Sequence, residues 1–83
     1  MSRCIKFQRM IERGDPVGAI RALLKELQGD PSYIGAFYNV GLAFKALELP
    51  QLARMAFELY LELEPQGYWS LQAEAELARM DER

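Results

Sequence analysis

The sequence predicts an all-α fold of about five short helices, and three observations predict it. Apolar residues recur at helical spacing: Val17, Ile20, Leu23, Leu24 and Leu27 form one stripe, and Leu52, Met55, Ala56, Leu59, Tyr60 and Leu63 form another. The alternating apolar and polar pattern of a half-buried strand is absent. Four segments, "RGDPVGA", "GDPSYIG", "LELPQLA" and "LEPQGYW", each read as a helix stop followed by a helix start.

The elements follow in order. A first helix is expected near 3–13, with Cys4, Phe7 and Ile11 as its best inward stripe. Asp15 and Asp30 are expected N-caps, because a short carboxylate can accept from the free amides of a helix start. Pro16 and Pro31 then occupy the first helical position, where a missing N–H costs nothing. A second helix runs near 16–28 and a third from Tyr33 to Leu47. The third is apolar on nearly all sides, with Asn39 and Lys45 its strongly polar residues, so it should be buried from several directions. A fourth helix lies near 50–63. After Pro65, a fifth should place Leu71, Ala75 and Ala78 inward, with Glu74, Glu76 and Arg79 making the rest polar.

Sliding the chain against itself pairs Met10 with Phe44, Pro16 with Pro50, Ala19 with Ala53, Leu23 with Phe57, Leu27 with Leu61, and Pro31 with Pro65, at a constant offset of 34 residues. The second unit reads Phe37-x2-Val40-Gly41-x2-Phe44, then Ala53-x3-Phe57, then Pro65. It resembles the tetratricopeptide repeat (TPR) pattern of W-x2-L-G-x2-Y, A-x3-F and P. In the first unit Arg3, Lys6 and Phe7 hold the slots of the Trp, Leu and Gly, so its first helix departs from the pattern. The resemblance implies a single domain over 1–83: repeat 1 at about 1–33, repeat 2 at about 34–67 and a C-terminal capping helix at about 68–81. It implies antiparallel helix-turn-helix units stacked into a short right-handed solenoid.

Gly41 interrupts a helix at a cost of about 1 kcal/mol relative to alanine, so its missing side chain must be needed. In the TPR arrangement Gly41 faces Ala53 where the two helices of a repeat cross closely, with Phe37, Phe44 and Phe57 filling the surroundings. The resemblance further implies a concave wall built from the first helix of each repeat. On it the groove-facing slots are Gly35, Tyr38, Asn39, Leu42 and Lys45, flanked by Gln8, Ile11 and Glu12 on one side and Trp69, Gln72 and Glu76 on the other. Tyr38 and Leu42 are either groove anchors or contacts within the stack. Trp69 is either a binding anchor or a plug closing the solenoid end. The carboxylate clamp of chaperone-binding TPR domains is matched at Asn39 alone, since Cys4, Gln8, Trp69 and Ala73 occupy its other slots. That argues against chaperone-tail binding.

Composition narrows the function classes. The 83 residues are 51% hydrophobic and 27% charged, a globular balance for one small domain. A net charge of −2 gives no basic footprint for nucleic acid, and Glu12 breaks the short run Arg3, Lys6, Arg9, Arg13. No apolar run is long enough for membrane insertion and none resembles a secretory signal, so a cytoplasmic location is expected. The Met1 start fits a whole small protein or an N-terminal domain. With no histidine and no glycine-rich phosphate loop, activated nucleophiles and histidine metal sites are missing, so neither an enzyme nor a cofactor or metal is expected. Glu58, Glu62 and Glu64 read as solvated surface. The expected role is non-catalytic binding of another protein or peptide segment in the groove. The alternative is a homodimer or larger scaffold formed through exposed solenoid ends carrying Ile5, Phe7 and Trp69.

Overall fold

The structure is a computed structural model that describes residues 3–81, with side chains described from Ile5 onward. The inward placement expected of Cys4 therefore lies outside the described side chains. The described residues form five helices and no strand: α1 (Arg3–Glu12), α2 (Pro16–Gly29), α3 (Gly35–Ala46), α4 (Pro50–Leu63) and α5 (Ser70–Asp81). Helix α1 packs on α2 and α3, α3 on α2 and α4, and α4 on α5.

The turns show why the chain folds back where it does. At the end of α1, the Asp15 N–H donates to the Met10 carbonyl and the Gly14 N–H to Ile11, both at 3.0 Å. At the end of α3, the Leu49 N–H donates to Phe44 and the Glu48 N–H to Lys45, again at 3.0 Å. Both are Schellman closures, which satisfy the last helical carbonyls and require a left-handed residue just past the cap. Gly14 takes that conformation at φ 89° without strain, whereas Glu48 is forced into it at φ 60°. Glu48→Gly should therefore raise stability by about 0.5–1 kcal/mol, after allowing for the greater unfolded-state freedom of glycine. A thermal melt that shows a Tm higher by about 4 °C checks this.

Helix entries repeat as well. The N-cap residues of α2 and α4, Asp15 (φ −124°, ψ 58°) and Leu49 (φ −114°, ψ 73°), share one conformation and both precede a proline. Asp15 adds a side-chain cap, accepting from the Gly18 N–H at 3.0 Å. The second expected N-cap is corrected. Asp30 closes α2, and its carboxylate accepts from the Ser32 hydroxyl at 2.6 Å and the Ser32 N–H at 3.3 Å, holding Pro31 in a turn. Helix α3 consequently starts at Gly35 instead of Pro31.

Two apolar clusters form the core. Phe7, Leu23, Tyr33 and Ala36 make one, with Met10, Leu27 and Val40 against it. Tyr38, Ala53, Phe57, Tyr60 and Ala73 make the other. Trp69 packs on both and joins them. Phe7 is buried at 1% exposure and Trp69 is largely buried against both clusters, so neither is the exposed end residue expected of it. Gly41 is buried, and a Cβ built there would lie 2.6 Å from Phe57 Cε1. The glycine thus seats the Phe57 ring, a more specific contact than the expected approach to Ala53.

Helix α5 presents a different face from the one expected. Leu71 is 77% exposed and Ala78 is exposed, while Ser70, Ala73 and Glu76 are buried, with Leu77 and Met80 packed beside them. The reason is that α5 packs on α4 through the Trp69–Ala73–Glu76–Met80 side. Leu71 and Ala78 lie on the side of α5 that faces solvent. Ser70 is drawn in because its hydroxyl donates to the Glu64 carbonyl at 2.6 Å, satisfying an end carbonyl of α4. No helix among the described residues is long and apolar enough to cross a membrane.

Candidate functional site

The contact of α1 with α3 leaves an open depression of about 300 Å³, lined by Gln8, Ile11, Glu12, Leu42, Lys45 and Ala46. Helical geometry explains the set. Gln8, Ile11 and Glu12 are spaced three and four apart on α1, and Leu42, Lys45 and Ala46 likewise on α3, so each triplet forms one facing surface. Ile11 and Leu42 provide an apolar floor, and Gln8, Glu12 and Lys45 a polar rim. The depression is open to solvent rather than enclosed.

Five of the eleven expected groove residues therefore meet in one place: Gln8, Ile11, Glu12, Leu42 and Lys45. Tyr38, Trp69, Asn39 and Gln72 sit elsewhere. Tyr38 is buried, stacked on Trp69 with ring centroids 5.4 Å apart and planes 11° from parallel. It also meets Phe57 and Tyr60 at 5.7 and 6.0 Å, so it belongs to the core beneath the wall. Trp69 is fixed by that stack, by Tyr68 in an edge contact at 4.7 Å, and by its backbone N–H donating to Tyr60 Oη at 3.2 Å. Asn39 is fully buried, and Gln72 is exposed on α5 outside the depression.

Charge at the site is organised by Glu76. Its buried carboxylate accepts from Lys45 Nζ at 2.7 Å on one oxygen and from Arg79 at 2.8 Å on the other. Two cations on one acid secure the burial of that charge and tie α5 to the rim of the α3 wall. The expected neighbourhood of Lys45 and Glu76 is thus a direct ion pair, and Glu76 is buried rather than part of a solvated polar face.

Two buried amides lie at or beneath this wall without a hydrogen-bond partner among the described residues: Gln8 Nε2, and both Nδ2 and Oδ1 of Asn39. Asn39 precedes Leu42 by one turn on the same side of α3. A buried amide without partners is costly, by about 1–3 kcal/mol. Sequence reasoning missed Ala46, whose signal is its position four residues after Leu42, and Arg79, which is three residues after Glu76. No family model, no curated protein and no solved structure matches the chain. The site is therefore interpreted from its own chemistry.

Proposed function

We propose that this protein is a non-catalytic interaction module of TPR type, which receives a peptide or partner helix in the groove between α1 and α3. The observation that carries this reading is the open depression with an apolar floor at Ile11 and Leu42 and a polar rim that includes Gln8, whose Nε2 has no partner among the described residues. A side chain seated on the floor buries apolar area, and an extended backbone can offer a carbonyl to the Gln8 amide nitrogen. The TPR assignment draws support from the turn hydrogen bonds and cap dihedrals that recur 34 residues apart, and from the seating of Phe57 on Gly41. On this reading the groove forms the inner wall of a short right-handed solenoid.

Selection of binding peptides from a random display library, followed by titration of the winners, tests the proposal. Leu42→Glu should weaken binding at least tenfold, about 1.4 kcal/mol, with helicity unchanged, because Leu42 is only partly buried. Amide chemical shifts should move at Gln8, Ile11 and Leu42. Peptides that bind Leu42→Glu as tightly as the native chain would rule out this groove.

A further inference from the structure

The outer surfaces of α2 and α4 carry matched but opposite patterns. Along α4, Leu52, Met55, Leu59 and Leu63 form an exposed stripe, each 40–64% accessible, with exposed Glu58 and Glu62 along its edge. The positions 34 residues earlier on α2 are Gly18, Arg21, Lys25 and Gly29, and beside them Val17 and Leu24 are 51% and 55% exposed. Thus α4 offers an apolar ridge edged by acids. Helix α2 offers a depression lined by Gly18, Ala22 and Leu24 and edged by Arg21 and Lys25.

Each charged edge is a like-charge pair four residues apart, an arrangement that destabilises a lone helix. No ion pair to Arg21, Lys25, Glu58 or Glu62 occurs among the described residues. An opposite pair of the same spacing would relieve both, and this chain carries that pair on the other of these two helices.

We infer that two copies of this chain associate through these outer faces as a closed two-fold dimer, α4 of each copy lying on α2 of the other. In that arrangement Leu59 and Met55 enter the depression at Gly18, Ala22 and Leu24, and Glu58 and Glu62 meet Arg21 and Lys25 twice, once on each side of the axis. A two-fold contact needs a self-complementary surface, and the α2–α4 pair is one. This face lies away from the groove, so its failure and that of the groove reading are separable.

Sedimentation of the full chain from about 5 to 500 μM, at low and high salt, provides the test. The native chain should form a discrete dimer that weakens as salt rises. Met55→Glu with Leu59→Glu should leave a monomer of unchanged helicity, since both side chains are exposed. The variant Arg21→Glu/Lys25→Glu and the variant Glu58→Lys/Glu62→Lys should each self-associate at least tenfold more weakly. Mixed together they should form a one-to-one dimer, because every contact across the axis is again between opposite charges. A native monomer at 500 μM or an open-ended ladder of oligomers would overturn the inference. So would a dimer indifferent to Met55→Glu with Leu59→Glu, or two charge variants that fail to pair.

Discussion

Phe57→Ala is expected to remove about 3–5 kcal/mol of stability, the range for a large aromatic deleted from a core. The whole domain holds on the order of 4–12 kcal/mol, so this one change brings it close to unfolding. Phe57 is fully buried, meets Tyr38 at 5.7 Å between ring centroids, and rests on the backbone of Gly41. A double-mutant cycle tests the pairing itself. Gly41→Ala alone places a methyl 2.6 Å from the ring. Overpacking of this kind costs about 1–3 kcal/mol, against a helix-propensity gain of about 1 kcal/mol. Phe57→Leu alone leaves a cavity over the glycine. Together the added methyl occupies part of the space the ring vacates, so the double mutant should lose about 1 kcal/mol less than the sum. Urea unfolding followed by circular dichroism measures all three. Strict additivity would show that Gly41 is not there for Phe57.

The glycine also shows how much of the fold was legible in the sequence. A costly residue inside an apolar helix announces a close approach, and the proline spacing locates the helices on either side. The identity of the contacting atom was not legible. Ala53 and Phe57 lie on the same side of α4, and only packing decides which of them reaches across. Turn chemistry was ambiguous in the same manner. Asp15 and Asp30 both precede proline, but Ser32 follows the second and offers its hydroxyl and N–H to the carboxylate, so a turn forms there. For α5, Leu71, Ala75 and Ala78 have inward spacing, yet Leu71 and Ala78 are exposed. The helix buries Ala73 and Glu76 instead, because Lys45 and Arg79 are there to hold the acid.

The depression between α1 and α3 was legible where helical spacing alone sets the facing surface, at Gln8, Ile11, Glu12, Leu42 and Lys45. It was not legible at Tyr38 and Trp69, whose depth depends on the rings around them. Periodicity gives the direction of a side chain from its helix axis but not the distance to the next helix. An aromatic aimed at a groove becomes core when a second aromatic stacks over it, as Trp69 does over Tyr38.

Asn39→Leu should do the reverse of the Phe57 change and raise stability, by about 1–3 kcal/mol. The native side chain is wholly buried and neither its nitrogen nor its oxygen meets a partner among the described residues. An apolar side chain there removes the desolvation cost of an unmatched amide. Leucine is bulkier than asparagine, so Asn39→Val serves as the smaller companion, and the more stable of the two reports the gain free of overpacking. A Tm higher by about 5–10 °C is expected. Peptides selected on the native groove should bind the stabilised variant as tightly as the native chain, because Asn39 is fully buried and does not line the depression. A variant that loses stability would mean that the amide is satisfied in the folded protein, and the reasoning from its isolation would fall with it.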